Sequence, residues 1–151
     1  VNLRDPWWDT AAVRGMIDAA RWVKLNADEL ALLAPAVDDA AGDPIEARAL
    51  ALLQRHGLEL VIATLGSAGA LALGANGEIC RVAPERSVQV VDAVGAGDGF
   101  ASVLILGLLR DWPLPQTLQR AQAFASAMVG QRGATVSEPD FYAGFARDWG
   151  L

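Results

Sequence analysis

The stretch "VQVVDAVGAGDGFASVLILGLL", residues 88–109, decides how the chain is read. An apolar run leads to Asp92, a Gly-Ala-Gly turn occupies 95–97, and Asp98 precedes a long apolar segment. This order predicts an extended segment over 87–93 and a helix over 97–109. The first N–H groups of a helix lack partners within it, and with the helix dipole they attract anions. Glycines at 95 and 97 permit tight turning and close approach of a ligand. A carboxylate beside a bound phosphate repels it, so Asp98 needs a reason. One reason is proton removal from a hydroxyl attacking phosphorus. Another is an ordinary acid at a helix start, and G-x-G-D alone allows both. The stretch is not a Walker loop, because G-x-x-x-x-G-K-S/T is absent. Its glycines at 95, 97 and 99 also miss the dinucleotide spacing G-x-G-x-x-G.

Outward from this stretch, helical and strand patterns alternate. Residues 10–22 have apolar positions at helical spacing, with Thr10 as N-cap. Then "WVKLN" (22–26) reads as a strand and "ADELALLAPAV" (27–37) as a helix that Pro35 ends or kinks. "DPIEARALALLQRHG" (43–57) carries helix signals at both ends: Asp43 as cap, Pro44 at the first position and Gly57 as stop. "LELVIATLG" (58–66) reads as a buried strand. Residues 69–84 read as a hairpin around Asn76-Gly77, a type I′ signal. A helix over 113–133 stops at Gly130 or Gly133, and a closing helix over 138–151 has Glu138 and Asp140 at its positive end. The alternation predicts an α/β fold with a mainly parallel sheet, in one domain spanning 1–151.

Composition narrows the function. The net charge of −6 argues against a nucleic-acid binder, which needs a basic face. No apolar run reaches the roughly 18 residues of a membrane span. A single cysteine, Cys80, excludes an internal disulfide and a cysteine metal cluster, which points to the cytoplasm. The opening has no charged leader followed by an apolar core. The chain begins at Val1 and reads either as a fragment or as a chain whose first residues are missing. His56 is expected to cap a helix end or face solvent. Trp7 and Trp8 are expected to pack within the fold or on a missing half, leaving an apolar patch that favours self-association.

Three ordered motifs carry a resemblance. "VVDAVGAGDGF" resembles the D-T-x-G-A-G-D-x-F signature of the ribokinase-like (PfkB) sugar kinases, "KLNADEL" their K-x-N-x-x-E-L segment, and "VIATLGSAGAL" their T-x-G-x-x-G loop. "NLRDPWW" resembles the lead-in of fructokinase-like members, and "QRGATVSEP" resembles the late G-A…P segment near the adenine. The resemblance implies a three-layer α/β/α fold with its N-terminal half and lid missing. It implies ATP-dependent phosphoryl transfer to a sugar hydroxyl. Asp98 would be the base, the backbone amides around Ala96, Gly97 and Asp98 would form the anion hole, and Gly95 would belong to the same catalytic turn. Thr64, Gly66, Gly69, Gly133 and Ala134 would bind the nucleotide. Asn26 and Glu29 would organise Mg²⁺ largely through water, and Asp92 would help bind a monovalent cation such as K⁺. Without the other motifs, Asp28 and Glu29 read as first-turn helix acids and Asp92 as a strand-end cap.

Two positions depart from the signature: the family Thr is Ala93, and the common Ser after the base is Gly99. The resemblance covers only the C-terminal half of the family fold, so the chain alone is expected to be weakly active or inactive. ATP and a small sugar are the implied partners, together with the missing half or a second copy. A nucleoside kinase of the same family is the alternative enzyme. A non-catalytic fragment binding nucleotide or another chain is the alternative outside enzymes.

Overall fold

The computed structural model describes residues 2–4, 6–34, 44–84 and 90–151. They fall into two compact units, Val1–Val82 and Ala83–Leu151.

The first unit contains α1 (Thr10–Asp18), β1 (Trp22–Asn26), α2 (Ala27–Leu33), α3 (Pro44–His56), β2 (Leu60–Thr64), a single 3₁₀ turn (Gly66–Ala68), β3 (Ala70–Gly74) and β4 (Ile79–Val82). Its sheet has the order β1-β2-β3-β4. Val13 and Ile17 of α1, Leu30 and Leu33 of α2, and Leu52 of α3 meet Val61 and Ala63 of β2 in one buried cluster. Trp8 packs against this cluster, whereas Trp7 is 87% exposed.

The expected α/β class holds, with one correction to the sheet. β1 and β2 are parallel, but β2–β3 and β3–β4 are antiparallel, so the sheet is mixed. Only β1 and β2 are joined through helices. The later connections are a few residues long, which forces antiparallel pairing. In the expected extended segment 87–93, residues 90–93 form no strand; Val91 N–H and Asp92 N–H both donate to the Val129 carbonyl. Residues 85–89 lie outside the described residues, as do Pro35 and the Asp43 cap.

Local chemistry corrects other details. The cap of α1 is Asp9, whose carboxylate accepts from Ala12 N–H at 2.8 Å, rather than Thr10. α1 stops at Asp18 rather than running to 22, and Trp22 instead opens β1 in register with Leu60. The hairpin turn is not type I′, which needs positive φ at both central residues. Gly77 has φ +84°, but Asp111 is the only described non-glycine with positive φ. Gly77 N–H donates to the Gly74 carbonyl and Gly74 N–H to that of Glu78, a three-residue loop closed by the left-handed glycine. α3 does end as expected: past Gly57, Leu58 N–H returns to the Leu53 carbonyl at 3.0 Å in a Schellman motif. The expectation for His56 is overturned. Its side chain is 4% exposed and meets Asp18 Oδ1 through Nδ1 at 2.5 Å, so it ties the ends of α3 and α1 together.

The second unit contains α4 (Ala96–Leu109), α5 (Leu114–Val129) and α6 (Pro139–Trp149). Of the two stops foreseen for α5, Gly130 is the one used. α4 and α5 approach closely because α4 offers no side chain at two crossing points. A Cβ on Gly99 would lie 3.2 Å from Met128 and 3.3 Å from Phe124, and one on Gly107 would lie 2.5 Å from Thr117. Phe124 also receives the edges of Phe141 and Phe145 from α6. No helix among the described residues is long and apolar enough to cross a membrane.

Candidate active site

In the first unit the expected site residues gather at one end of the parallel strand pair. Asn26 and Thr64 are register partners at the carboxyl ends of β1 and β2, the end of an α/β sheet where ligands bind. Thr64 Oγ1 donates to the Leu25 carbonyl at 3.2 Å. Beyond Thr64 the chain turns through Gly66 and Gly69, which have φ +59° and +94°. Leu65 N–H donates to the Gly69 carbonyl at 2.8 Å, closing this loop on itself.

Asn26 and Glu29 form a reciprocal capping box at the start of α2. Asn26 Oδ1 accepts from Glu29 N–H at 2.8 Å, and Glu29 Oε2 accepts from Asn26 N–H at 2.9 Å. Glu29 Oε1 accepts from Leu3 N–H at 2.9 Å, and the residue is 6% exposed. Both carboxylate oxygens are thus engaged by backbone donors. Each keeps further lone pairs, so this oxygen-rich pair suits Mg²⁺ through intervening water rather than as a chelating carboxylate. The described residues contain no group of three or more His, Cys, Asp or Glu able to hold a metal.

In the second unit, Gly95 is the N-cap of α4, with φ +84°. A Cβ here would lie 2.6 Å from the Ala134 backbone, so only glycine lets the turn and the 133–134 segment approach this closely. The helix begins with Gly99 N–H donating to the Gly95 carbonyl at 2.8 Å, while the Ala96 N–H contact with Ala93 O is long, 3.4 Å. Gly97 and Asp98 complete the first turn. Asp98 is exposed, and its carboxylate accepts no hydrogen bond from the described residues.

Asp92 is placed differently. Its Oδ1 accepts from Val94 N–H and its Oδ2 from Gly133 N–H, both at 3.0 Å. The Val94 bond, then the Gly133 bond, hold its carboxyl below the usual range, with a smaller contribution from Arg132. Asp92, Gly95, Gly133 and Ala134 therefore meet around one turn. The Asp92–Gly133 bond had no local signature in the sequence. Neither did the engagement of Glu29 by Leu3.

Comparison with known proteins identifies the family. Residues 1–140 match the pfkB family carbohydrate kinase, and the chain belongs to that family. It is 37% identical over 138 residues to a 1-phosphofructokinase of Escherichia coli (strain K12), covering 91% of this chain and 43% of that protein. It is similar to the crystal structure of a putative ribokinase II from E. coli in complex with ATP and Mg²⁺, with TM-score 0.74 and 26% identity over 91% of this chain and 42% of the other. It is also similar to aminoimidazole riboside kinase from Salmonella enterica, complexed with aminoimidazole riboside and an ATP analogue. Here the TM-score is 0.73 with 30% identity, over 96% of this chain and 50% of the other. The chain thus spans 43% of the length of the 1-phosphofructokinase it matches.

Proposed function

We propose that residues 1–151 are the nucleotide-side, C-terminal part of a single kinase domain that transfers the γ-phosphoryl group of ATP to a sugar hydroxyl. The observation that carries this reading is Asp98: an exposed carboxylate, without a hydrogen-bond partner among the described residues, in the first turn of a glycine-launched helix. Asp98 accepts the proton of the attacking hydroxyl as its oxygen bonds to phosphorus, and the bond from phosphorus to the departing ADP breaks. The positive end of α4, at Gly95, Ala96, Gly97 and Asp98, favours the charge on the migrating group. Gly133 and Ala134 face the base of the nucleotide. Thr64, Gly66 and Gly69, at the carboxyl end of β2, serve its phosphates and ribose. Mg²⁺, when bound, offsets phosphate charge, and Asn26 and Glu29 would hold its waters. A monovalent cation such as K⁺ would use the Asp92 lone pairs left over from its two backbone bonds.

The acceptor class tested first is a fructose phosphate, from the similarity to 1-phosphofructokinase. A nucleoside acceptor is the second reading, favoured by the 30% identity to a riboside kinase. Because the chain spans less than half of the relative's length, most acceptor contacts are assigned to the remaining part. The test is calorimetric titration of the purified chain with ATP, with and without Mg²⁺, beside a phosphoryl-transfer assay with fructose 1-phosphate and with adenosine. Weak Mg²⁺-dependent ATP binding with negligible turnover is expected. Turnover in the usual kinase range of about 1–100 s⁻¹ by the chain alone would refute the division of labour. Failure to bind ATP would leave a non-catalytic fragment.

A further inference from the structure

We infer that Asp92 is a positioning residue that bolts the turn launching α4 to the Gly133–Ala134 segment, fixing the distance between the phosphoryl end and the base end of a bound nucleotide. The inference rests on the proposed kinase reading for its functional meaning, but the bolt itself is a matter of geometry. The bond from Val94 N–H to Oδ1 is local, two residues away, and by itself describes an ordinary Asx turn. The bond from Gly133 N–H to Oδ2 spans 41 residues of chain and serves no local turn. It is reinforced on both sides. Val91 and Asp92 N–H share the Val129 carbonyl, at 2.8 and 3.2 Å, where α5 ends. Gly95, three residues on, lies against Ala134 with no room for a side chain. One carboxylate therefore joins two backbone segments that both flank the mouth of α4.

The chemistry of an acid is needed here. Both facing groups are N–H donors, so the bridging side chain must accept at both ends. A carboxylate does so; a carboxamide has one accepting end and one donating end. In Asp92→Asn, whichever way the amide turns, one arm of the bolt faces a donor with a donor. The variant can keep the local turn and lose the long-range arm.

The experiment compares the wild-type chain with Asp92→Asn in two ways. The first is ligand-free amide hydrogen exchange at Gly99 and Gly133, with Val103 and Leu104 in the middle of α4 as controls. We expect exchange at Gly99 and Gly133 to rise about tenfold together, as loss of a charge-assisted bond implies, while Val103 and Leu104 stay unchanged. The second is binding of MgATP beside adenosine, which lacks phosphates, in buffer free of K⁺ and Na⁺, so that loss of a cation ligand does not enter the result. MgATP affinity should fall about tenfold, with adenosine within about twofold. Unchanged exchange at Gly133 and Gly99 overturns the bolt. Equal losses for both ligands, with faster exchange at Val103 and Leu104, overturn positioning in favour of general destabilisation. If the wild-type chain binds neither ligand, the kinase reading fails, and the exchange measurement still decides the bolt.

Discussion

The mouths of α2 and α4 look alike in sequence and differ in structure. Each opens on a polar or glycine cap and places an acid in the first turn, Glu29 in one and Asp98 in the other. Glu29 is buried, and both of its oxygens accept backbone N–H groups. Asp98 is exposed and accepts none from the described residues. A first-turn acid answered by the protein's own donors is part of the scaffold. One left unanswered is available for chemistry, because no hydrogen bond from the described residues has to be broken for it to meet a substrate. The contrast predicts opposite responses to the same kind of substitution.

The largest effect should come from Asp98→Asn. In a kinase completed with the part that the relatives carry beyond the match, loss of the proposed base should lower kcat by about 10²–10⁴-fold, measured by coupled assay. Stability in urea should change by less than about 1 kcal/mol, the scale of one acid at a helix start. A large stability loss with intact kcat would reverse the roles of the two mouths.

Gly95→Ala comes next and asks whether the shape of the α4 mouth matters apart from its charge. The added methyl would meet the Ala134 backbone at 2.6 Å, at a residue with φ +84°. A misfit of backbone on backbone with an unfavourable dihedral should cost roughly 2–4 kcal/mol in chemical denaturation. Glu29→Ala should cost about 1–3 kcal/mol, because it leaves Leu3 and Asn26 N–H without their carboxylate. If Glu29→Ala leaves the denaturation midpoint unmoved, the capping box is not the scaffold described above.

How much of this was legible in the sequence depends on the range of the interaction. Pro44 and Gly57 mark the ends of α3 correctly because caps and stops are settled within a few residues. The Gly95 turn and the helix after it are equally local. The sequence pattern reads as a mainly parallel sheet because strand and helix patterns alternate, yet the short connections around β3 impose antiparallel pairing. His56 reads as a helix-end cap or a solvent-facing residue because nothing near it in sequence shows Asp18, 38 residues away. The Asp92–Gly133 bond escaped for the same reason. Gly99, a departure from the family signature, acquires a physical account only from packing: it lets Phe124 and Met128 close on α4. The same change of one residue is thus a helix weakness locally and a packing requirement in the folded unit.

The smallest effect separates Asp92 from the two first-turn acids, since Asp92 belongs to neither class: it is answered by backbone donors but bridges segments. The N–H groups of Val94 and then Gly133 hold its carboxyl below its ordinary value. A carboxyl whose folded value lies below its unfolded one stabilises the fold in its charged form. That contribution is complete above the unfolded carboxyl range, near pH 4, and is lost as pH falls through the lower folded value. Between pH 7 and about 5 the Gly133 amide resonance should therefore stay still, and its main movement should come below about pH 4. In Asp92→Asn that acid limb should vanish. Raised salt should shift the midpoint only slightly, because the Arg132 charge is the minor cause and salt screens charges rather than hydrogen bonds. A Gly133 resonance that titrates at or above the ordinary aspartate value would mean that the two N–H groups do not grip the carboxylate in solution. Asp92 would then join Asp98 among the unanswered acids.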